Sequence, residues 1–468
     1  MKIFDSSLKK EVEFIPINDK EVRIYVCGPT VYDDAHLGHA RSAIVFDILR
    51  RFLIKSGYKV TFMKNFTDID DKIIKKVKES NKSLEELTTY YINRYLEDMK
   101  ALNVLRADIE PKATKTLEAM FEMVELLLKN GCAYKSDDGS IYFDTSKDKD
   151  YCSLSHKCDE ESLSRIEPNP QKRNPSDFAL WKACKDENDI CFNSPFGKGR
   201  PGWHIECSAM IKKYLAYKDK EYQIDIHGGG ADLFFPHHEN EAAQTRCAYH
   251  QKLAKYWMHN GFVTISGEKM SKSLGNSFFI KDALKVYDGE ILRFYLLSTH
   301  YRSNLNFNEI DLINSKKRLD KLYRLKKRVY EVKEGVYDSE FKKSFFEALK
   351  DDLNISKALS VIDEFISSSN EYLDKNPKDR AFKQKVAATI SLISKVLGVG
   401  SKDAYEYFQM GVDEKTKEKI EELLEQRAKA KKAKDYKKAD AIREELKKMN
   451  IKIMDTPTKT LWEKDIDV

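Results

Sequence analysis

Two short motifs, far apart in the sequence, contain residue types that handle phosphate groups. His36-Leu37-Gly38-His39 lies near the start of the chain, and Lys269-Met270-Ser271-Lys272-Ser273 follows some 230 residues later. Imidazole N–H groups and lysine ammonium groups both bind phosphate oxygens. We therefore predict that His36, His39, Lys269 and Lys272 meet around the phosphates of a nucleotide.

The sequence around the histidine motif predicts a strand followed by a helix. Residues 22–26 are β-branched and aromatic, which is typical of a short strand. After Gly38, the apolar residues Val45, Leu49 and Phe52 recur at helical spacing. The histidines are thus expected on a strand-to-helix turn, where backbone N–H groups and the helix dipole attract an anion. The lysine motif lies in a polar stretch, which suits a loop over a triphosphate.

The surrounding elements predict an α/β fold. Residues 59–63 form a second predicted strand, and the polar segment 65–71 follows it. The order strand, helix, strand predicts a right-handed parallel crossover. Residues 111–130 have a helical pattern, and Asp137-Asp138-Gly139 predicts a hairpin turn. Residues 150–202, rich in Pro, Asn, Lys and Ser, are predicted to be an irregular part of an insertion that splits the α/β domain.

A glycine run follows the next predicted strand. Residues 222–226 have a strand pattern and lead into His227-Gly228-Gly229-Gly230. Ligands of open parallel sheets bind beyond the carboxyl ends of the strands, and glycine lets the backbone approach a sugar or phosphate. Three glycines alone favour a tight turn instead. From 308 to 397 the pattern is helical, and residues 413–449 predict a charged helical pair.

Four dispersed residues form a candidate metal site. His237 and Glu241 are four residues apart at the start of a predicted helix, so both can face one side. Cys27 ends the first predicted strand at the same sheet edge, and Cys207 is a candidate fourth ligand. Two thiolates, one imidazole and one carboxylate suit tetrahedral zinc.

The residues next to this metal site leave alternatives open. His238 and Glu239 compete as ligands, and the same segment is also compatible with an exposed acidic helix. A single cysteine is more often a buried apolar residue than a ligand. The eight cysteines form no CxxC pair, so no disulfide framework is predicted. No pairing is assigned to the other six, Cys132, Cys152, Cys158, Cys184, Cys191 and Cys247.

Length and composition set broad limits. The 468 residues correspond to about three domains. The net charge is only +6, but residues 415–448 hold 13 basic and 8 acidic residues. No apolar stretch of about 18 residues occurs, so no membrane span is predicted. The first residues lack the apolar core of a signal peptide, and we expect a cytoplasmic protein.

Several segments, in the same order, resemble cysteinyl-tRNA synthetases. The resemblance spans nearly the whole chain and rests on specific motifs. It implies a class I aminoacyl-tRNA synthetase with a Rossmann-type parallel-sheet catalytic domain. The segments are Cys27-Gly28-Pro29-Thr30-Val31-Tyr32-Asp33, the histidine motif, 65–73, 199–210, 225–241 and 269–276.

The resemblance also implies a domain order. The implied parts are the split catalytic domain at 1–110 and 203–255, a connective insertion at 111–202, a stem-contact region with the lysine motif at 256–307, a helical bundle at 308–405 and a small anticodon-binding domain at 406–468. Two departures are visible. Leu37 replaces the commoner Ile with an apolar residue of similar volume, and Arg106 stands where the family usually has Pro.

The family's functional residues are carried over position by position. The implied zinc ligands are Cys27, Cys207, His237 and Glu241. The implied ATP-binding residues are His36, His39, Gly229, Gly230, Lys269 and Lys272. The implied amino-acid-binding residues are Cys27, Gly28, Thr30, Trp203, Asp232 and His237.

The implied function is that of a cysteine–tRNA ligase. It activates L-cysteine with ATP and Mg²⁺ and transfers it to the 3′ end of tRNA(Cys). One zinc ion per subunit would select the substrate thiolate, since zinc prefers sulfur and an alcohol ionises far less readily. A separate proofreading site is then unnecessary. The expected partners are tRNA(Cys), ATP and L-cysteine, with no membrane, and the expected state is a monomer.

The tRNA contacts are expected in the C-terminal part. The lysine-rich segments 427–432 and 437–443 are plausible backbone contacts, although such runs are usually solvated helix faces. Trp462, in a predicted polar tail, is a candidate for stacking on an anticodon base. Two alternatives stay open: an ATP-dependent cysteine ligase that acts on a small amine, and a non-catalytic RNA-binding protein on the same scaffold.

Overall fold

The computed structural model describes residues 1–157, 169–186, 189–265, 278–456 and 459–464, and the backbone of 268–269. The chain divides into two compact units. The first comprises Met1–Ser315 and Lys343–Val361, and the second comprises Lys316–Lys342 and Ile362–Val468. Within the part of the chain described, no helix is both long and apolar enough to cross a membrane.

The described elements alternate between strands and helices in the first half of the chain and are mainly helical in the second. The strands are β1 (Lys2–Asp5), β2 (Lys10–Glu13), β3 (Glu21–Val26), β4 (Lys59–Lys64), β5 (Ala133–Lys135), β6 (Ile141–Phe143), β7 (Phe178–Ala183), β8 (Gly199–Pro201), β9 (Tyr222–Gly230), β10 (Lys252–Asn260), β11 (Val263–Ile265), β12 (Glu268–Lys269), β13 (Leu305–Phe307), β14 (Ile451–Asp455) and β15 (Thr460–Lys464). The helices are α1 (Leu37–Lys55), α2 (Asp71–Ser80), α3 (Leu84–Ala101), α4 (Leu117–Lys129), α5 (Trp203–Tyr214), α6 (Glu239–Tyr249), α7 (Ile280–Val286), α8 (Gly289–Leu296), α9 (Glu309–Arg328), α10 (Ser339–Lys350), α11 (Ile355–Lys375), α12 (Arg380–Leu397), α13 (Ala404–Phe408), α14 (Glu414–Lys432) and α15 (Tyr436–Lys448).

A four-stranded parallel sheet forms the centre of the first unit. Its strand order is β10-β9-β3-β4, and every neighbouring pair runs parallel. The chain continues from β3 to β4 on one side and reaches β9 on the other, so the order reverses between β3 and β9. Ligand sites of open α/β sheets lie at such a switch point, beyond the carboxyl ends of the strands. The predicted α/β fold with a parallel sheet is confirmed.

The glycines after residue 227 continue a strand and do not form a turn. All three lie in β9, where Gly228 pairs with Val26 and Met258 in the neighbouring strands. The prediction of a tight turn is therefore wrong. A Cβ at Gly228 would lie 2.3 Å from the Phe46 ring of α1, so glycine is required because the helix packs closely on the sheet.

The insertion contains more regular structure than the sequence predicts. β5 and β6 form the expected hairpin, and β7 and β8 extend it into an antiparallel sheet of order β5-β6-β7-β8. The prediction of irregular chain is wrong for Phe178–Ala183 and Gly199–Pro201. Leu180 and Trp181 are buried in this sheet. The strands are short and lie between long polar loops, so the composition of the whole stretch does not indicate a strand pattern.

Two cysteines of the insertion form a disulfide. Cys184 follows the end of β7, and its sulfur is bonded to that of Cys191. The sequence indicates no pairing for either residue and predicts no disulfide framework, so sequence analysis missed this bond. The backbone N–H of Cys184 donates to Lys198, and Phe192 pairs with Gly199, so the turn of the chain brings the two sulfurs together without any CxxC spacing.

The second unit ends in two helices and a hairpin. The predicted helical pair corresponds to α14 and α15, and β14 pairs with β15. Trp462 lies in β15 and is 3% exposed, and its indole N–H donates to Glu421 at 2.7 Å. The prediction of Trp462 in a polar tail is therefore wrong, since the ring packs in an apolar cluster with Ile420 of α14 and Leu446 of α15. Arg427 is also buried and forms an ion pair with Asp455 at 2.7 Å.

Candidate active site

The site forms where β3 and β9 end side by side. Cys27 directly follows β3, and its backbone N–H donates to the carbonyl of Gly228 at 3.3 Å. The turn Phe234–His238 and the first residues of α6 return the chain to the same sheet edge. Cys207 lies in α5, which begins just after β8. Residues from three distant segments thus converge at the switch point.

The four predicted metal ligands lie together. One donor atom from each of Cys27, Cys207, His237 and Glu241 lies within 4.8 Å of the others. The measured edges are 4.0 Å for Sγ–Sγ of the two cysteines, 3.5 Å for Cys207 Sγ–His237 Nε2, 3.7 Å for Cys27 Sγ–Glu241 Oε1 and 3.0 Å for His237 Nε2–Glu241 Oε1. A tetrahedron with ordinary zinc bond lengths has corresponding edges of about 3.8, 3.6, 3.6 and 3.4 Å. The donor set therefore fits one zinc ion.

A second donor set shares two of these residues. Cys27, His227, His238 and Glu241 also have donor atoms within 4.8 Å of one another. In this set, however, His227 Nε2 lies 2.9 Å from Glu241 Oε2 as a hydrogen-bond partner. The first set has two thiolates, which zinc prefers, and it leaves that hydrogen bond intact. The geometry therefore favours the first set.

The remaining alternatives for this segment are resolved by burial. The start of α6 is not an exposed acidic helix, because Glu239 and Glu241 are fully buried. Glu239 belongs to neither donor set, because its Oε2 accepts the backbone N–H of Ser155 at 2.7 Å and its Oε1 lies 3.6 Å from Arg246.

Three further histidines lie around the donor set and were not predicted from the sequence. His204 Nδ1 lies 2.9 Å from His237 Nδ1, on the side of that ring away from the other donors. His227 holds the outer oxygen of Glu241, and His259 Nε2 lies 2.8 Å from His238 Nδ1. Such outer partners fix the tautomer and orientation of metal ligands. Their only sequence signal is that His227 and His259 lie in the C-terminal halves of adjacent parallel strands.

Burial sets the charge state of these groups. It raises the pKa values of Cys27 and Glu241 well above their ordinary ranges, and the neighbouring Cys207 adds to the effect on Cys27. It lowers the pKa of His237 well below its usual value and that of His227 to about 3. Both histidines are therefore neutral at physiological pH. A divalent cation would stabilise the thiolate and carboxylate forms that burial disfavours.

The histidine motif begins α1 and faces a cavity of about 520 Å³. His36 is the N-cap, and its Nδ1 accepts the backbone N–H of Gly38 at 3.1 Å. His39 Nδ1 accepts the backbone N–H of His36 at 3.2 Å, and the ring centroids are 3.9 Å apart. The helix thus begins at Leu37, one residue earlier than predicted, with both rings fixed at its N-terminus.

Most of the other predicted site residues line the same cavity. They include Cys27, Gly28, Thr30, Trp203, Gly230 and Asp232. The Trp203 ring stacks on His237, with centroids 4.1 Å apart and an interplanar angle of 19°, and is 38% exposed. A Cβ at Gly28 would lie 1.6 Å from the carbonyl oxygen of Asn65, so only glycine fits there. Gly229 does not line this cavity and lies close to His238.

The lysine motif is described only in part. The backbone of Lys269 lies in β12 and pairs with Thr264 of β11. Lys272 lies outside the described residues. The structure therefore brings the histidine motif, the metal donors and the amino-acid-pocket residues together. Of the two predicted lysines, it describes only the backbone of Lys269.

Comparison with known families accounts for most of the chain. The tRNA synthetases class I (C) catalytic domain matches residues 13–317, the DALR domain matches 344–401, and the cysteinyl-tRNA ligase anticodon binding domain matches 413–462. A cysteine–tRNA ligase of a Nitratiruptor species is 70% identical over 464 residues, which are 99% of this chain and 100% of the relative. The chain belongs to the cysteine–tRNA ligase family. The predicted family and enzyme class are confirmed.

Other relatives agree with the cysteine–tRNA ligase family. The cysteine–tRNA ligase of Helicobacter pylori (strain Shi470) is 60% identical over 99% of this chain and 100% of its own length. Among solved structures, Mycobacterium tuberculosis methionyl-tRNA synthetase in complex with methionyl-adenylate has a TM-score of 0.59 at 15% identity, covering 81% of this chain and 92% of that one. That likeness shows the class I fold. The match to an anticodon binding domain does not favour the alternative of an ATP-dependent cysteine ligase that acts on a small amine.

Proposed function

We propose that this member of the cysteine–tRNA ligase family activates L-cysteine with ATP and transfers it to the 3′ end of tRNA(Cys). In the first step the cysteine carboxylate attacks the α-phosphate, and pyrophosphate leaves. In the second, a terminal ribose hydroxyl attacks the carbonyl carbon, and AMP leaves. The observation that carries the proposal is that a four-donor cluster suited to a thiolate-binding metal adjoins a cavity lined by the histidine motif.

The histidine motif is suited to the first step. Each Nδ1 of His36 and His39 accepts a backbone N–H. The proton of each neutral ring is therefore on Nε2, which becomes a donor for a phosphate oxygen. The N-terminus of α1 adds its dipole at the same place. Lys269 and Lys272, with Mg²⁺ carried by ATP, would supply the fixed positive charge that phosphoryl transfer requires.

The amino-acid pocket separates cysteine from serine. Cys27, Cys207, His237 and Glu241 would hold the zinc ion. When bound, zinc would coordinate the substrate thiolate, and a shape-based pocket alone would separate such similar substrates by only about 1–3 kcal/mol. Trp203 stacks on His237 and Thr30 lines the cavity, so both limit the space around the side chain. No proofreading domain is needed.

Exposed lysines of the second unit are proposed to contact the tRNA backbone. Lys432, Lys437 and Lys438 are exposed at the end of α14 and the start of α15. Such contacts are independent of base sequence and weaken with salt. Arg427 is excluded from this role, because it is buried against Asp455.

Two assays test the proposal. Cysteine-dependent exchange of pyrophosphate into ATP should occur with the zinc-loaded protein, and serine should support far less exchange. Purified tRNA(Cys) should then be charged with cysteine. If exchange occurs but cysteine is transferred only to a small amine, the acceptor is that amine and not tRNA. No exchange with zinc present would favour a non-catalytic RNA-binding protein.

A further inference from the structure

A fully buried arginine connects the helix of the histidine motif to two distant loops. Arg41 lies two residues after His39 in α1 and has no exposed surface. One guanidinium nitrogen donates to the carbonyls of Gly261 and Phe262, at 3.3 and 2.8 Å. The other donates to the carbonyls of His300 and Ser303, at 3.1 and 2.5 Å. All four acceptors are backbone oxygens, so this cation holds chain segments and not an acidic side chain.

These loops lead into the sheet that carries Lys269. Phe262 directly precedes β11, which pairs with β12 through Thr264 and Lys269. Ser303 precedes β13, which runs parallel to β11. Arg41 therefore fixes the base of the sheet β12-β11-β13 against α1. The pKa of Arg41, lowered to about 10 by burial, leaves the side chain cationic at neutral pH.

A second connection joins the chain after the lysine motif to the same end of α1. The backbone N–H of Leu37 donates to the carbonyl of Phe278 at 3.1 Å, and that of Ile280 donates to Ala35 at 2.9 Å. Lys281 Nζ lies 2.6 Å from Asp34 Oδ2. The Asp34 side chain is 8% exposed and that of Lys281 is 35% exposed, so one side of this ion pair is shielded from water. Arg94 Nε also lies 3.4 Å from Asp34 Oδ1.

The two connections bear on the chemistry because the phosphate-binding groups come from distant parts of the chain. Charge that develops on the phosphates is stabilised only by groups already in place, and an error of about 1 Å can cost about 100-fold in rate. We propose that Arg41 and Lys281 are positioning residues for ATP activation. They hold the strand of Lys269, and the chain that resumes at Phe278, in register with His36 and His39. This inference rests on the proposed function.

Lys281→Met is the first test, with Lys285→Met as the matched control. Lys285 lies one turn further along α7 and pairs with Asp282 on the surface. Lys281→Met should lower kcat for pyrophosphate exchange about 10-fold and raise KM for ATP. It removes the ion pair of the second connection and leaves its two backbone hydrogen bonds in place. The KM for cysteine and the zinc content should not change. Lys285→Met should match the parent chain in every measurement.

Arg41→Lys is the second test, with Arg293→Lys as its control. Arg293 is as buried as Arg41, but it donates to Leu102, Asn103 and Asp47. Arg41→Lys keeps the charge and loses the forked geometry. It should lower kcat for exchange about 100-fold with KM for cysteine unchanged, while Arg293→Lys should change the melting temperature and not kcat. If Arg41→Lys does not fold, the Lys281 comparison decides.

A double-mutant cycle tests the ion pair itself. Asp34→Asn removes the ion pairs with both Lys281 and Arg94, so it should slow exchange at least as much as Lys281→Met. The double variant should be no slower than Asp34→Asn alone. Two results would overturn the inference and leave only a structural role. The first is equal exchange rates for Lys281→Met and Lys285→Met. The second is a rise in KM for cysteine in Lys281→Met as large as its rise in KM for ATP. If the parent chain itself supports no exchange, the proposed function fails instead, so the two failures are distinguishable.

Discussion

His204→Phe is the sharpest test of the metal site, because it removes a contact without touching a ligand. His204 Nδ1 lies 2.9 Å from His237 Nδ1. His237 Nε2 faces Cys207 and Glu241, so a metal bound there leaves the ring's proton on Nδ1 as a donor to His204. Phenylalanine keeps a ring of similar size beside Phe178 and Trp203 and cannot accept that hydrogen bond.

The expected loss follows from the burial of the His237 ring, which is 1% exposed. An unpaired buried N–H costs about 1–3 kcal/mol, and loss of an outer partner of a metal ligand typically weakens metal binding by about 10–100-fold. Since about 1.4 kcal/mol corresponds to a factor of ten, the two estimates agree. We expect the Kd for zinc to rise about 10–100-fold, with a smaller change in the melting temperature of the metal-free protein.

Zinc affinity can be measured by competition with a chelator at about pH 7.5, where the histidines are neutral. The matched control is Thr245→Val, four residues after Glu241 in α6. Thr245 is fully buried, and among the described residues its hydroxyl has no hydrogen-bond partner, so the isosteric change should leave zinc binding unaltered. An unchanged Kd in His204→Phe, with the protein folded, would show that His204 does not orient a metal ligand.

Three further predictions can be checked with standard measurements. Cys207→Ser should lower zinc content and raise KM for cysteine, and full zinc occupancy by native mass spectrometry would remove Cys207 from the ligand set. Burial raises the pKa of Asp98 to about 6, so its ionisation destabilises the native state as pH rises from about 4 to about 6. Asp98→Asn should therefore melt at a higher temperature than the parent chain above about pH 6. An equal gain in melting temperature at about pH 4 would contradict this. Arg427 holds the pKa of Asp455 well below its usual range, so the pair stabilises the protein at neutral pH and less as the carboxyl is protonated. Arg427→Met should lower the melting temperature at neutral pH, with the difference shrinking in acid, and a difference that does not depend on pH would argue against the ion pair.

The errors in the sequence analysis have a common physical origin. Trp462 lies in a polar stretch, yet the pairing of β14 with β15 buries it. Cys184 and Cys191 have no recognisable spacing, yet the turn between β7 and β8 joins them. In both cases the local composition is that of a loop, and the contact is made by segments that come together only in the folded chain. Short-range patterns do not record such pairing.

The sequence by itself determined the chemistry that this chain carries. The types and spacing of the residues in the histidine and lysine motifs, and the strand that precedes Cys27, predict a nucleotide site at a sheet edge. Charge, hydrogen bonding and periodicity are local properties, so the sequence carries them directly. Only the tertiary structure shows that donor atoms of Cys27, Cys207, His237 and Glu241 lie together. It also shows that His204 and His227 contact members of this set, and that Arg41 connects α1 to the chain before β11. These depend on contacts between segments up to about 260 residues apart, and the geometry of such contacts is set by how the sheet and helices pack.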